Sequence, residues 1–446
     1  MTPQTQPALY AVVEVVAGRL GVSVPDRVWL MSFGPAVRLF PDGRRPMDPE
    51  AVRELISYAG GVTSTRRSAW IRPMSRRDTG QEHRVATPLE LFFDLCFVVA
   101  VAAVSDRLHH ALVENEVGHG LIGYLLVFFG IWWAWMNFTW FSSAYDTDDI
   151  AYRLTTFVQI TGVLILAAGV PRAFDNKDFT VVVAGYVVMR VGLITQWFRA
   201  ARGDRRGRKT ALRFATGVAA CQVGWVALLF VPESWLVPLF LVFAAAELAV
   251  PVWAERAGNT PWHPHHIAER YGLFTLIVLG ETVLAATTAV QRGFAGEGPS
   301  AQLLAIALSG LVVVFGMWWV YFGQHAERFL RSNREGFRWG YGHFLIFSSA
   351  AAVGAGLATA VDHESHVGHT PTTVASAAVA VPVAVFIVSV WLLHVRPHGL
   401  AGRLQLAWPV AALLVLAAIA APSVPVTLVL TAGLMAVLVA VSILAG

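Results

Sequence analysis

The sequence predicts an all-α, polytopic integral membrane protein of about twelve transmembrane helices. Three observations carry this expectation: composition, the length of the apolar runs, and the placement of the basic residues. The 446 residues are 56% hydrophobic and only 14% charged, with a mean hydropathy of +0.58. That composition is far too apolar for a soluble domain. Apolar runs of about 20 residues, the length needed to cross a bilayer as a helix, recur from residue 87 to the end. They lack the polar/apolar alternation of lipid-facing strands, which excludes a closed barrel. Helices are then the remaining way to satisfy every backbone group in lipid. The net charge of +4 comes mostly from arginines in short connections between spans, so a nucleic-acid partner is not expected. Cys96 and Cys221 fall inside predicted spans and read as packing residues rather than a disulfide or metal pair.

Taken in order, residues 1–73 do not match the rest. A moderately apolar segment at 8–22 is interrupted by Glu14, Gly18 and Arg19, and it lacks the basic start and cleavage site of a signal peptide. The expectation is an N-terminal extension that is weakly structured or not translated natively, with Met74 as an alternative start. Twelve spans follow, at about 88–107, 120–142, 150–170, 179–198, 211–231, 234–254, 268–290, 301–324, 340–361, 373–394, 405–421 and 424–445. The positive-inside rule tests that count independently. Arg66, Arg67, Arg72, Arg76, Arg77 and Arg84 precede the first span. Arg199, Arg202, Arg205, Arg206, Arg208, Lys209 and Arg213 follow the fourth, and Arg328, Arg331, Arg334 and Arg338 follow the eighth. With twelve spans all three sets fall on one side, so both termini are expected in the cytoplasm and the protein in the cell inner (plasma) membrane.

An internal repeat is expected as well. Phe129-Gly130-Ile131-Trp132-Trp133-Ala134-Trp135 is echoed by Phe315-Gly316-Met317-Trp318-Trp319-Val320-Tyr321. Ala151-Tyr152-Arg153-Leu154 is echoed by Gly336-Phe337-Arg338-Trp339, and Glu90 before one apolar span by Glu269 before another. Three matches in the same order point to a duplication. An even number of spans separates the copies, so the halves, 74–256 and 257–446, are expected as parallel six-helix repeats related by an axis along the membrane normal. Trp132 and Trp318 would then be equivalent.

TPLELFFDLCFVV, NFTWFSSAYDTDD and HHIAERYGLFTLIVLGETVL together strongly resemble the bacterial low temperature requirement A family of membrane proteins. The resemblance covers about residues 74–446. It implies an integral membrane protein and hands over no established substrate or catalytic residues.

The candidate site residues are charges inside spans, because a carboxylate or arginine at a span centre costs about 2.5–3.5 kcal/mol on insertion scales. Glu90 and Asp94 lie one turn apart on one face of the first span. They read either as an interfacial pair held by arginine or as a proton- or cation-binding pair facing the bundle. Glu281 lies deep in span seven, Glu247 deep in span six, and Arg190 in the middle of span four. A structural ion pair between Arg190 and one of these glutamates is one reading. The other is a carboxyl group that exchanges protons, because desolvation disfavours its charged form. Gly280 beside Glu281 suits close helix approach or a small hydrated gap. Asn137, in the Trp-rich run, is expected to be a polar cross-link between helices.

His109, His110, His363 and His366, with neighbouring acids, form a candidate metal set for the loops on the far side, though their spacing matches no defined zinc motif. Tyr145-Asp146-Thr147-Asp148-Asp149 reads as a cap for the third span or as a cation-collecting mouth. No Walker loop, dinucleotide fingerprint or Ser-His-Asp order is present, so the sequence assigns no cofactor. The leading function is secondary transport or channel-like passage of a small solute or ion through the bilayer, with proton coupling through Glu281, Asp94 and Glu90. Two rivals are a membrane-embedded metal-dependent enzyme and a non-transporting membrane or signalling component. A cavity ending at Glu281 favours transport, and a dry interior with paired carboxylates favours the last.

Overall fold

The computed structural model describes residues 70–77, 85–296, 298, 300–323, 330, 332–398 and 402–445, and among these residues twelve α-helices follow one another. They are α1 (Pro88–Val113), α2 (Val117–Tyr145), α3 (Ile150–Asp175), α4 (Thr180–Gly203), α5 (Arg208–Ala227) and α6 (Glu233–Glu255) in the first half. The second half contains α7 (Pro264–Gly296), α8 (Ala301–Phe322), α9 (Asn333–Glu364), α10 (Thr372–Val390), α11 (Ala407–Ala417) and α12 (Val424–Ala445). Among the described residues, eleven helices are long and apolar enough to cross a membrane. The twelfth predicted span, α11, is shorter. Its apolar stretch Leu404–Ala420 measures 17 residues, about 25 Å at 1.5 Å per residue, against a hydrocarbon core of about 30 Å. The expectation for residues 1–73 lies outside the described residues except for 70–73.

Local signals set the helix boundaries. Thr87 caps α1 in a reciprocal capping box with Glu90, and Pro88 occupies the first turn, where its missing N–H costs nothing. Ser300 and Ser332 cap α8 and α9 through their hydroxyls. Helices α7 and α9 run to 33 and 32 residues, well past their predicted spans, so their polar ends project beyond an apolar core about 30 Å thick.

Contacts at the helix ends sort into two sets. On one face Arg77 pairs with Asp146 at 2.7 Å, Arg76 lies 3.7 Å from Asp204, and Arg76 donates to the Asn259 carbonyl at 2.9 Å. Asn333 donates to Glu255 at 2.9 Å on the same face. The opposite ends meet elsewhere: Arg107 with Asp175 at 3.6 Å, Lys177 with Glu233, and Thr370 Oγ1 with the Leu112 carbonyl at 3.0 Å. Gly368, at φ +78°, makes the turn that brings this last loop against Val113, where any Cβ would clash. Ser376, early in α10, lies 3.1 Å from Thr427, early in α12. The α11–α12 turn therefore belongs to the second face.

Helices α9 and α2 are the most enclosed, with 83% and 67% of their central windows buried, whereas α6 has 22%. Trp132, Trp133 and Trp135 are consequently core residues: Trp135 stacks on Phe274 at 4.3 Å, and Trp132 meets Phe344 edge-on at 5.3 Å. Trp318 is 44% exposed on α8, unlike Trp132 at 2%. The difference follows from packing, because α2 is central while α8 packs outward against α12.

Small residues let the helices approach closely. A Cβ at Gly185 on α4 would overlap the Leu166 backbone and the Gly162 carbonyl of α3. Gly185→Ala is therefore expected to lower stability by about 1–3 kcal/mol, the usual range for overpacking. Gly280→Ala, with nothing within 4 Å of the new carbon, should be near neutral. Thermal unfolding of both variants in detergent tests this pair, and equal melting temperatures would contradict it.

Candidate functional site

Glu90 and Asp94 are fully buried, and what holds them is on α7. Arg270, also fully buried, grips Asp94 with two hydrogen bonds, Nε to Oδ2 at 2.9 Å and Nη2 to Oδ1 at 2.5 Å. Its Nη1 lies 3.2 Å from Glu90 Oε1 and donates to Ser142 at 3.3 Å. His266 Nε2 lies 3.2 Å from Glu90, and the Trp135 indole donates to Asp94 at 2.7 Å. Both helices present their charges at i and i+4, Glu90 with Asp94 and His266 with Arg270, so two matching turns face one another. The sequence reading named both acids but passed over Arg270. The shared four-residue spacing was the signal that could have found it.

Glu247 makes a second cluster. Its carboxylate accepts from Trp133 Nε1 at 2.8 Å, Trp225 Nε1 at 3.1 Å, and Tyr186 Oη and Gln222 Nε2 at 3.2 Å each. Arg190 Nη2 lies 3.9 Å from Glu247, donates to the Tyr186 hydroxyl, and sits over the Tyr186 ring at 4.5 Å. Arg190 therefore pairs with Glu247, not with Glu281. Asn137 donates its amide N–H to the Trp133 carbonyl at 2.8 Å within its own helix, the i−4 bond open to a short polar side chain, and among the described residues no hydrogen bond ties it to another helix.

The four candidate metal histidines are not brought together. His109 binds Asp362 at 2.8 Å, His110 lies 3.6 Å from Asp106, His363 Nδ1 is within 2.9 Å of the Thr370 carbonyl, and His366 is exposed in a turn. Among the described residues no group of three or more His, Cys, Asp or Glu is arranged to hold a metal ion. The acids after α2 are likewise engaged: Asp146 with Arg77, Asp148 with both Nε and Nη2 of Arg153 at 2.8 and 2.9 Å, and Asp149 with the Arg72 backbone N–H at 2.7 Å.

Glu281 has a different environment. It is half-buried and lines a cavity of about 390 Å³ between α1, α7 and α9, together with Ser105, Asp106, His109, Thr288 and Arg292. Ser105 is buried, and its hydroxyl has no hydrogen-bond partner among the described residues. Gly280 borders open space rather than a neighbouring helix. An aromatic layer of Trp135 from α2, Phe274 from α7 and Phe347 from α9 stands between the level of Asp94–Arg270 and that of Glu281.

Apolar helices of spanning length with charges buried between them define a helical, multi-pass membrane protein. The chain belongs to the bacterial low temperature requirement A protein (LtrA) family, whose pattern matches residues 85–443. It is similar to an uncharacterized protein of Rhizobium meliloti (strain 1021), with 27% identity over 263 residues that cover 57% of this chain and 62% of the relative. The chain thus spans less than two thirds of that relative's length.

Proposed function

We propose that the protein is a secondary transporter or channel-like passage for a small solute or ion, proton-coupled, in the cell inner membrane. The observation that carries this reading is the cavity of about 390 Å³ that reaches Glu281. A carboxylate inside a span is costly unless it is paired or lines a polar cavity, and this one has the cavity. Glu247 accepts from four donors and Arg190 lies beside it, donating to Tyr186, so the two act as structural support. The Glu90–Asp94–His266–Arg270 cluster links α1 to α7 at the opposite end of the same seam. Its two carboxylates face one guanidinium and the His266 imidazole. Glu269 and Tyr152 border that cluster.

The reading places both termini in the cytoplasm. The face that gathers Arg76, Arg77, Asp146, Asp204 and Glu255 is also the face of the arginine-rich connections. It also takes 74–256 and 257–446 as parallel repeats, α1 matching α7. Superposition of the halves by an axis in the membrane plane would contradict that.

The test is flux. In vesicles with an internal pH-sensitive dye, wild-type protein should carry a pH-dependent flux between about pH 5 and 8. Glu281→Gln, similar in size but unable to ionise, should abolish the pH dependence while leaving the melting temperature nearly unchanged. An unchanged profile would remove Glu281 from the mechanism.

A further inference from the structure

We infer that the outer cavity binds a small organic cation of the alkylammonium class, with Glu281 as its counter-ion and Ser105 as a second acceptor. The inference rests on the transport reading only for where the ligand goes; the site itself is read from its walls.

Charge comes first. Among the described residues no hydrogen bond or ion pair engages the Glu281 carboxylate, and the Ser105 hydroxyl is buried, unpartnered and on the same cavity wall. His109, also in the wall, is committed to Asp362 at 2.8 Å. Asp106 is committed to Arg107 at 3.0 Å. Arg292 lies three helical turns along α7 from Glu281, towards the rim. The deep end therefore holds one uncompensated negative charge, which selects a monovalent cation.

The walls decide which kind. Glu281 and Ser105 offer one carboxylate and one hydroxyl, too few ligands to replace the six to eight oxygens around calcium or the octahedral shell of magnesium. The remaining lining includes Ala102, Ala103, Ala285, Ala355 and Ala358, whose methyl groups strip water from an ion without replacing it. An alkylammonium uses both features. Its N–H donors go to the carboxylate and the hydroxyl as charge-assisted bonds, and its alkyl group lies on the alanines. A cavity of about 390 Å³ has the volume of about a dozen waters at roughly 30 Å³ each, ample for such a molecule.

The experiment uses the full-length protein in detergent and reads the melting temperature against n-propylammonium, with propanol, sodium and potassium at matched concentration as comparators. Wild type should show a saturable rise with propylammonium alone. Glu281→Gln should weaken binding roughly ten- to hundredfold, the worth of a hydrogen bond to a charged group, and Ser105→Ala should weaken it less. Should Glu281→Gln fail to fold, Ala102→Leu, which fills the cavity and leaves the charge, must also abolish the shift. No shift with propylammonium, an equal shift with sodium or potassium, or undiminished binding by these variants would each overturn the assignment. Binding without any flux would refute transport and leave the cation site standing, whereas Glu281-dependent flux without propylammonium binding would refute the ligand class alone.

Discussion

Arg270→Leu is expected to cost about 3–5 kcal/mol of stability, the penalty for removing one partner of a buried ion pair. The guanidinium is fully buried and engages Asp94 twice and Glu90 once, so its loss leaves two carboxylates without a cation inside the bundle. Arg270→Lys should recover only part, because an ammonium keeps the charge but not the planar fork that fits Asp94. Asp94→Asn in the Arg270→Leu background should be milder than the two single effects summed, with a coupling of about 0.5–3 kcal/mol. Thermal unfolding in detergent and recovery of monodisperse protein report all three variants. An Arg270→Leu protein that melts with wild type would show that the cluster does not hold α1 to α7.

Glu247→Leu should be the next most damaging change, again about 3–5 kcal/mol. One carboxylate satisfies four donors from three other helices, Trp133, Tyr186, Gln222 and Trp225, and neutralises Arg190. Removing it orphans all of them inside the bundle. Glu247→Gln keeps one carbonyl acceptor and should lose roughly half as much. Arg190→Met combined with Glu247→Leu removes the leftover charge and should be more stable than Glu247→Leu alone, since apolar replacement of a whole buried pair is often neutral. If the double variant melts below the single one, the pair does not act as a unit. On the proposed transport reading, the pH dependence of flux, where these variants fold, should survive Glu247→Gln and not Glu281→Gln. That contrast separates the structural carboxylate from the one in the cavity.

The helical membrane architecture was legible in the sequence because each apolar run answers to a local constraint: a helix must be about 20 residues long and apolar to sit in lipid, and its basic flanks report the side. Eleven of the twelve spans stand where hydropathy put them. The α11 stretch passed the hydropathy reading because apolarity says little about where a helix starts, and a 3-10 turn takes up its first residues. The candidate charges were legible too, since a lone Glu90, Asp94, Arg190, Glu247 or Glu281 in an apolar run stands out against its neighbours.

Which of them meet was decided only by tertiary structure. Pairing depends on the rotation of each helix about its axis and on which helices are adjacent, and neither is encoded in any single span. Asp94 found Arg270 some 176 residues away, Glu247 rather than Glu281 received Arg190, and the candidate metal histidines His109 and His363 went to separate partners. The same packing left a cavity between α1, α7 and α9 beside Glu281, an in-span carboxylate that no hydrogen bond or ion pair engages among the described residues.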